Sequence, residues 1–142
     1  MKIAIGCDHA GYPLKAVVME KLEKEGYEVV NVGTNSTDPV DYPIYGKAVG
    51  EAVTSGKAER GIVICGSGIG ISIAANKVHG VRCALCTSVE MAEMSRRHNN
   101  SNVLAMGARM IEVETACAIV DKWLSTDFEG GRHQRRIDLI EE

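Results

Sequence analysis

Short β-rich runs alternate with helix-patterned segments along the whole of this 142-residue chain, and no other feature narrows the fold as far. Residues 2–5 (KIAI) read as a strand, followed by a turn at 6–11. Pro13 opens a helix, where a first-turn proline removes no hydrogen bond. Leu14, Val17, Val18 and Leu22 give that helix one apolar stripe, and Gly26 stops it. A second strand follows at 28–32, then a loop crowded with turn residues, GTNSTDPVDYP. A helix from about 45 to 54 leads to the third strand, GIVIC, and GSGIG then turns into a helix running to 77. VRCALC at 81–86 reads as the fourth strand, 89–97 as a helix and NVLAM as the fifth strand. Val113, Ala116, Cys117, Val120 and Leu124 stripe the helix after it. The tail is glycine-broken and basic, then ends in a short amphipathic segment.

Five strands separated by helices imply right-handed crossovers and a parallel sheet covered on both faces. The expected fold is therefore a single-domain α/β protein spanning 1–142, a three-layer α/β/α Rossmann-like sandwich on a five-stranded parallel sheet. Ligands of such sheets bind beyond the carboxyl ends of the strands, so the chemistry is sought there.

Composition narrows the classes of partner. Apolar residues make up 45% and charged residues 25%, as in soluble globular proteins. The net charge of −3 gives no reason to expect nucleic acid or an anionic membrane as a partner. No apolar run approaches the roughly 20 residues that span a bilayer. MKIAIGCDHAG meets Gly, Cys and Asp too early for a signal peptide, so a cytoplasmic protein is expected. Five cysteines in or beside apolar segments read as buried free thiols. Cys83 and Cys86 form a C-x-x-C, but on a strand residues three apart face opposite ways, and no second pair completes a metal site.

The strand ends gather reactive side chains: Cys7, Asp8 and His9 after the first, Cys65 to Gly70 after the third, and Gly107 to Arg109 after the fifth. The R-R-H-N-N run at 96–100 is placed on this same rim. Alternate glycines at 66, 68 and 70 let backbone amides crowd around an oxygen, and the following helix adds its positive end. Such a nest holds a phosphate or a reaction oxyanion, or it is only a tight turn. It has neither G-x-G-x-x-G spacing nor G-K-[ST], which disfavours a nucleotide. Cys65 precedes the nest, where a helix N-terminus favours thiolate, so it reads as nucleophile, general base or inert packing. His98 either caps its helix or does chemistry, and Asp8 with His9 either stabilises a turn or binds. Arg132, Arg135 and Arg136, with His133, form either a solvated tail or a phosphate fork.

Taken together, G-C-D-H-A-G at 6–11, D-Y-P at 41–43, C-G-S-G-I-G-I-S-I-A-A-N-K at 65–77, R-R-H-N-N-S-N-V-L at 96–104 and E-G-G-R-H-Q-R-R at 129–136 resemble the type B ribose-5-phosphate isomerases. The wider family includes allose-6-phosphate and galactose-6-phosphate isomerases, and the match covers nearly the whole chain. The resemblance implies an isomerase that needs no metal and no cofactor and interconverts ribose 5-phosphate and ribulose 5-phosphate through a cis-enediolate. It implies that Cys65 moves the proton between C1 and C2. Ser67 and the amides of Gly66, Gly68, Ile69 and Gly70 would hold the charge on oxygen. His98 would assist ring opening, Asp8 and Asn99 would bind sugar hydroxyls, and Tyr42 would stand nearby. His9, Arg132 and Arg136 would hold the phosphate, with Arg109 as a further candidate. Relatives without the cysteine use a glutamate a few residues later; here that position is Ile71. The resemblance also implies a homodimer or dimer of dimers with interface active sites, His98 or the tail at 128–142 coming from the partner chain. The rival readings are a six-carbon or free-sugar isomerase, a cysteine hydrolase or transferase, and a sugar-phosphate sensor without catalysis.

Overall fold

The computed structural model describes residues 1–142, as five strands and six helices. In chain order they are β1 (Lys2–Cys7), α1 (Tyr12–Lys24), β2 (Glu28–Gly33), α2 (Tyr42–Thr54), β3 (Arg60–Cys65) and α3 (Ile69–Asn76). Then come β4 (Cys83–Leu85), α4 (Val89–Asn99), β5 (Val103–Gly107), α5 (Val113–Ser125) and α6 (Arg132–Ile140). All strand pairs are parallel, in the order β2-β1-β3-β5-β4. From β1 the chain leaves one way to β2 and the other way to β3, which makes the β1/β3 junction the switch point where ligands of such sheets bind.

The strand period of two sorts side chains into two apolar layers. Ile3, Ile5, Ile62, Ile64, Leu104 and Met106 face α1, α4 and α5, and meet Leu14, Val18, Leu22, Ile119 and Trp123. Ala4, Val63, Cys65, Val103 and Ala105 face the other way and meet Val49 and Ala52 of α2 and Ile71 and Ala75 of α3. The C-x-x-C splits as its spacing requires: Cys86 belongs to the first layer, and Cys83 packs on the second. No helix is long and apolar enough to cross a membrane.

Three local departures from the sequence pattern have physical causes. Helix α2 starts at Tyr42 rather than near 45, because Pro43 is suited to the first turn. Strand β4 keeps only three residues of VRCALC. Beside it, the Asn76 amide bonds both the N–H (2.8 Å) and the C=O (3.0 Å) of Cys83, replacing a neighbouring strand and blunting an open edge. On α1, Val17 is exposed and Lys15 takes an inward position instead. The Lys15 ammonium donates to Asn31 Oδ1 (2.7 Å) and Asn35 Oδ1 (3.0 Å), with no carboxylate partner, and burial holds its pKa below the ordinary lysine range.

A polar cluster anchors the far side of the first layer. Trp123 Nε1 donates to Ser101 Oγ (2.8 Å), which also bonds Ser95 Oγ (2.8 Å). Buried Arg96 ties this turn to the end of α5 through Asn100 Oδ1 (2.9 Å) and the Thr126 carbonyl (3.2 Å). Replacing Trp123 by Phe keeps most of the buried area but leaves the serine pair one donor short. Trp123→Phe is expected to lower unfolding free energy by about 1–2 kcal/mol, read from denaturant unfolding followed by circular dichroism.

Candidate active site

Strands β1 and β3 end side by side, and the loops that leave them interlock. The Asp8 N–H donates to the Ile64 carbonyl (3.3 Å), and Asp8 Oδ1 accepts from the Gly11 N–H (3.0 Å). Asp8 thus stabilises its turn, yet its second carboxylate oxygen makes no bond within the chain. His9 Nδ1 accepts from the Val40 N–H (3.1 Å), which puts the ring proton on Nε2 and fixes the tautomer.

The loop after β3 is seated on the end of β5. Cys65 O accepts from the Ala108 N–H (2.9 Å), and Gly66 O from the Arg109 N–H (2.9 Å). Gly68 has φ 80°, and a Cβ there would stand 2.8 Å from the Met106 carbonyl carbon, so both backbone conformation and space demand glycine. This geometry aims the Gly68 N–H at Cys65 Sγ, 3.2 Å away. That sulfur therefore has a backbone amide donor at the start of α3. The other thiols lack this. Burial pushes Cys7 and Cys86 each up to about 11, and raises Cys83 and Cys117 as well.

The nest differs in detail from the sequence expectation. The Gly68 amide is used by the cysteine sulfur and the Ile69 amide by Ser67 Oγ (3.2 Å), so neither is free for an oxyanion in this arrangement. The amides of Gly66, Ser67, Gly70 and Ile71 make no hydrogen bond within the chain and are the open donors. Their acceptors one turn earlier do not exist, as at any helix start. Ile71 itself is fully buried among apolar neighbours. The Tyr42 ring covers Gly70, where a Cβ would stand 2.6 Å from Cε1, and Arg109 Nη1 lies 3.1 Å from the Cβ position of Gly66. Cys65, the nest, Ser67, Asp8, His9, Tyr42 and Arg109 therefore belong to one rim.

His98, Asn99, Arg132 and Arg136 do not. Helix α4 returns the chain from the carboxyl end of β4 to the amino end of β5, so its last turn lies on the opposite rim. The placing of R-R-H-N-N beside Cys65 is corrected accordingly. Arg82, just before β4, donates to the carbonyls of Asn99 (3.1 Å) and Asn100 (3.0 Å), and the Asn102 N–H, just before β5, donates to the Arg82 carbonyl (3.1 Å). The two rims are separated by the length of the sheet, roughly 15 Å for five-residue strands.

Helix α6 packs on α4 at this second rim. The rings of His98 and His133 stack at 4.4 Å with 16° between their planes. Glu129 Oε2 accepts from Arg97 Nε at 2.6 Å, and Arg82 pairs with Glu141 at 3.0 Å. His133 and Ile137 are buried one turn apart, leaving Arg132 and Arg136 on the exposed side of the helix. Burial, then the charges of His98 and Arg132, lowers the His133 pKa; the Arg97 hydrogen bond lowers that of Glu129. Glu129 and His133 were not singled out as a pair in the sequence, although their separation of four residues and the 133/137 apolar spacing give the signal.

Each rim is open. The roomiest hollows, about 460 Å³ each, lie against α1 and between β2 and α2, and none of the five hollows on the surface includes Cys65. One rim offers a base beside unpaired amides; the other offers imidazoles and the unpaired guanidinium groups of Arg132, Arg135 and Arg136. Beside the first rim, Ile44 at the start of α2 and Ile69 and Ile73 on α3 are each more than half exposed.

Comparison with known proteins matches this geometry to a family. The model of the Ribose/Galactose Isomerase family matches residues 3–140. Ribose-5-phosphate isomerase B of Escherichia coli (strain K12) is 49% identical over 139 residues, covering 98% of this chain and 93% of that protein. The structure of Clostridium thermocellum ribose-5-phosphate isomerase B superposes with a TM-score of 0.99 at 55% identity, covering 99% of this chain and 95% of that one. A Mycoplasma genitalium ribose-5-phosphate isomerase B, solved with bound ribulose-5-phosphate, has a TM-score of 0.94 at 42% identity, covering 99% and 93%. Matched over almost its whole length by that model and by these relatives, the chain belongs to the ribose/galactose isomerase family.

Proposed function

We propose that this protein interconverts ribose 5-phosphate and ribulose 5-phosphate, with Cys65 carrying the proton between C1 and C2. The observation that carries the reading is the sulfur of Cys65 held by the Gly68 amide directly beside four unpaired backbone donors. A base and a preorganised oxyanion site are the two needs of proton abstraction next to a carbonyl. The names of the E. coli and C. thermocellum relatives and the ligand of the M. genitalium structure support the substrate.

In the open-chain aldose, the Cys65 thiolate takes the proton from C2, and the C1 carbonyl oxygen becomes the enediolate oxygen. The amides of Gly66, Ser67, Gly70 and Ile71 receive that charge, with the Ser67 hydroxyl beside them. The thiol returns the proton to C1, while a proton passes from O2 to O1, leaving the ketose. Asp8, through its free carboxylate oxygen, and Tyr42 line the path of the sugar hydroxyls. His9 offers Nε2–H, and Arg109 a guanidinium, to anionic oxygen.

Ring opening and phosphate binding fall to the other rim. His98 moves a proton from O1 to the ring oxygen, Asn99 binds a hydroxyl, and Arg132 and Arg136 grip the phosphate. Since one chain holds these groups roughly 15 Å from Cys65, a complete site takes the first rim of one copy and the second rim of another. The exposed Ile44, Ile69 and Ile73 beside the first rim suit burial against that copy. The protein is thus a homodimer, or a dimer of dimers, with shared sites, working in the cytoplasm.

The direct test is incubation with ribose 5-phosphate while following ribulose 5-phosphate, with allose 6-phosphate as comparator. Rapid conversion of the pentose phosphate supports the reading; conversion of the hexose phosphate alone contradicts the substrate. Cys65→Ala is expected to lower kcat by about 10²–10⁴-fold with KM nearly unchanged. Full activity in that variant contradicts the role of Cys65. Arg136→Ala is expected to raise KM for ribose 5-phosphate by about tenfold or more, the worth of one charge-assisted hydrogen bond. The same change should leave any slow turnover of unphosphorylated ribose untouched, which separates a phosphate contact from a general loss of structure.

A further inference from the structure

The polar cluster where α6 meets α4 carries features that the isomerase chemistry does not require. His98, Glu129 and His133 bring one ligating atom each within 4.8 Å of one another. His133 is 7% exposed, and its Nε2 is buried with no hydrogen-bond partner. The nearest acidic atom is Glu129 Oε1, 3.5 Å away. A buried ring nitrogen without a partner costs about 1–3 kcal/mol, so something polar belongs beside it.

The carboxylate is already oriented for such a partner. Glu129 Oε2 is taken by Arg97 Nε and Nη2, both at 2.6 Å, which leaves Oε1 directed at His133. One carboxylate oxygen held by a guanidinium and the other left free is the way outer-shell groups aim a metal ligand. The His98 ring, stacked on His133, makes no hydrogen bond of its own. A tetrahedral site with bonds of 2.0–2.2 Å places its ligand atoms about 3.4 Å apart, so the three must draw in by an ångström or so, and the His98 ring must turn out of its stack to bring a nitrogen to the ion in its own plane. His98, only partly covered, has room to make this movement, while Glu129 stays clasped to Arg97 through Oε2 and offers Oε1.

We propose that His98, Glu129 and His133 form an inhibitory site for a divalent transition-metal ion, with zinc as the best-matched cation. Two imidazoles and one carboxylate suit zinc in three-ligand sites that keep a fourth position open. Ligation of His98 removes the imidazole that opens the sugar ring, so metal occupancy turns the enzyme off; this consequence rests on the role given to His98 above. The ion would also tie the start of α6 to the end of α4 and hold the adjacent Arg132 in one orientation.

The site is tested with Co²⁺ as an optical probe on chelator-treated full-length protein. One equivalent per chain should give a visible ligand-field spectrum that Zn²⁺ abolishes by displacement. Glu129→Gln and His133→Ala should each weaken Co²⁺ binding by about tenfold or more. Glu129→Gln lies on an exposed side chain and tests the site without touching the core. Cys65→Ala should bind as the wild type does. In the isomerase assay, Zn²⁺ should inhibit with the midpoint of its binding, chelator should restore the rate, and Glu129→Gln should keep the basal rate while resisting Zn²⁺ about tenfold. Absence of Co²⁺ binding, or its loss in Cys65→Ala, overturns the site, and binding without inhibition overturns the regulation. The role of His98 is judged apart, by the rate of His98→Asn in chelator: full activity there refutes ring opening by His98 and leaves the Co²⁺ titration to decide the site.

Discussion

In a parallel sheet every crossover helix runs back against the strands it joins, and the arrangement of this molecule depends on that reversal. Whatever follows a strand directly stands on the carboxyl rim; whatever ends the next helix stands on the amino rim. Cys65 and its glycine loop are of the first kind, His98 and Asn99 of the second. The proposed chemistry draws on both, so the fold of one chain separates groups that this reading brings to one substrate. The proposed dimer resolves this, because a two-fold interface would present each copy's first rim to the other's second rim twice over.

On the carboxyl rim the decisive contact is the Gly68 N–H to Cys65 Sγ. It depends on the left-handed backbone at Gly68, which depends in turn on the bare Cα that lets the loop lie on the end of β5. A side chain at Gly68 or Gly107 would push the loop off that strand and take the amide away from the sulfur. The unpaired amides at 66, 67, 70 and 71 are the ordinary orphans of a helix start. Here no capping side chain takes them, and they lie beside Cys65. In the proposed mechanism they hold the enediolate charge without a carboxylate or arginine, which leaves the charged residues for the phosphate end of the sugar.

Much of this was legible in the residues. The alternation of strands and helices, the two-faced layering of Ile62–Cys65 and the opposite facing of Cys83 and Cys86 all follow from local period. The Gly66–Gly70 nest was legible too, because turn chemistry is local. What was not legible is long-range. Which amides stay free depends on where Cys65 Sγ and Ser67 Oγ point. Lys15 replaces Val17 inside because Asn31 and Asn35, from another strand and loop, receive its ammonium. The clasp of Arg97 on Glu129 joins residues 32 apart in sequence. The rim of His98 is set by helix direction instead: α4 runs back along the sheet from the end of β4 to the start of β5, and the residues beside His98 carry no local sign of that.

Shared sites are the claim on which the rest turns, and complementation between two inactive variants tests them most directly. Cys65→Ala and His98→Asn proteins are mixed, dissociated and reassociated, and assayed with ribose 5-phosphate in chelator. Each mixed dimer then holds one site with both groups intact, so sites built from two copies predict recovery of about a quarter of the wild-type rate at equal mixing. A mixture as inactive as its separate components, with mixed dimers shown to have formed, would mean that Cys65 and His98 act within the same chain or not together at all, and would contradict the account.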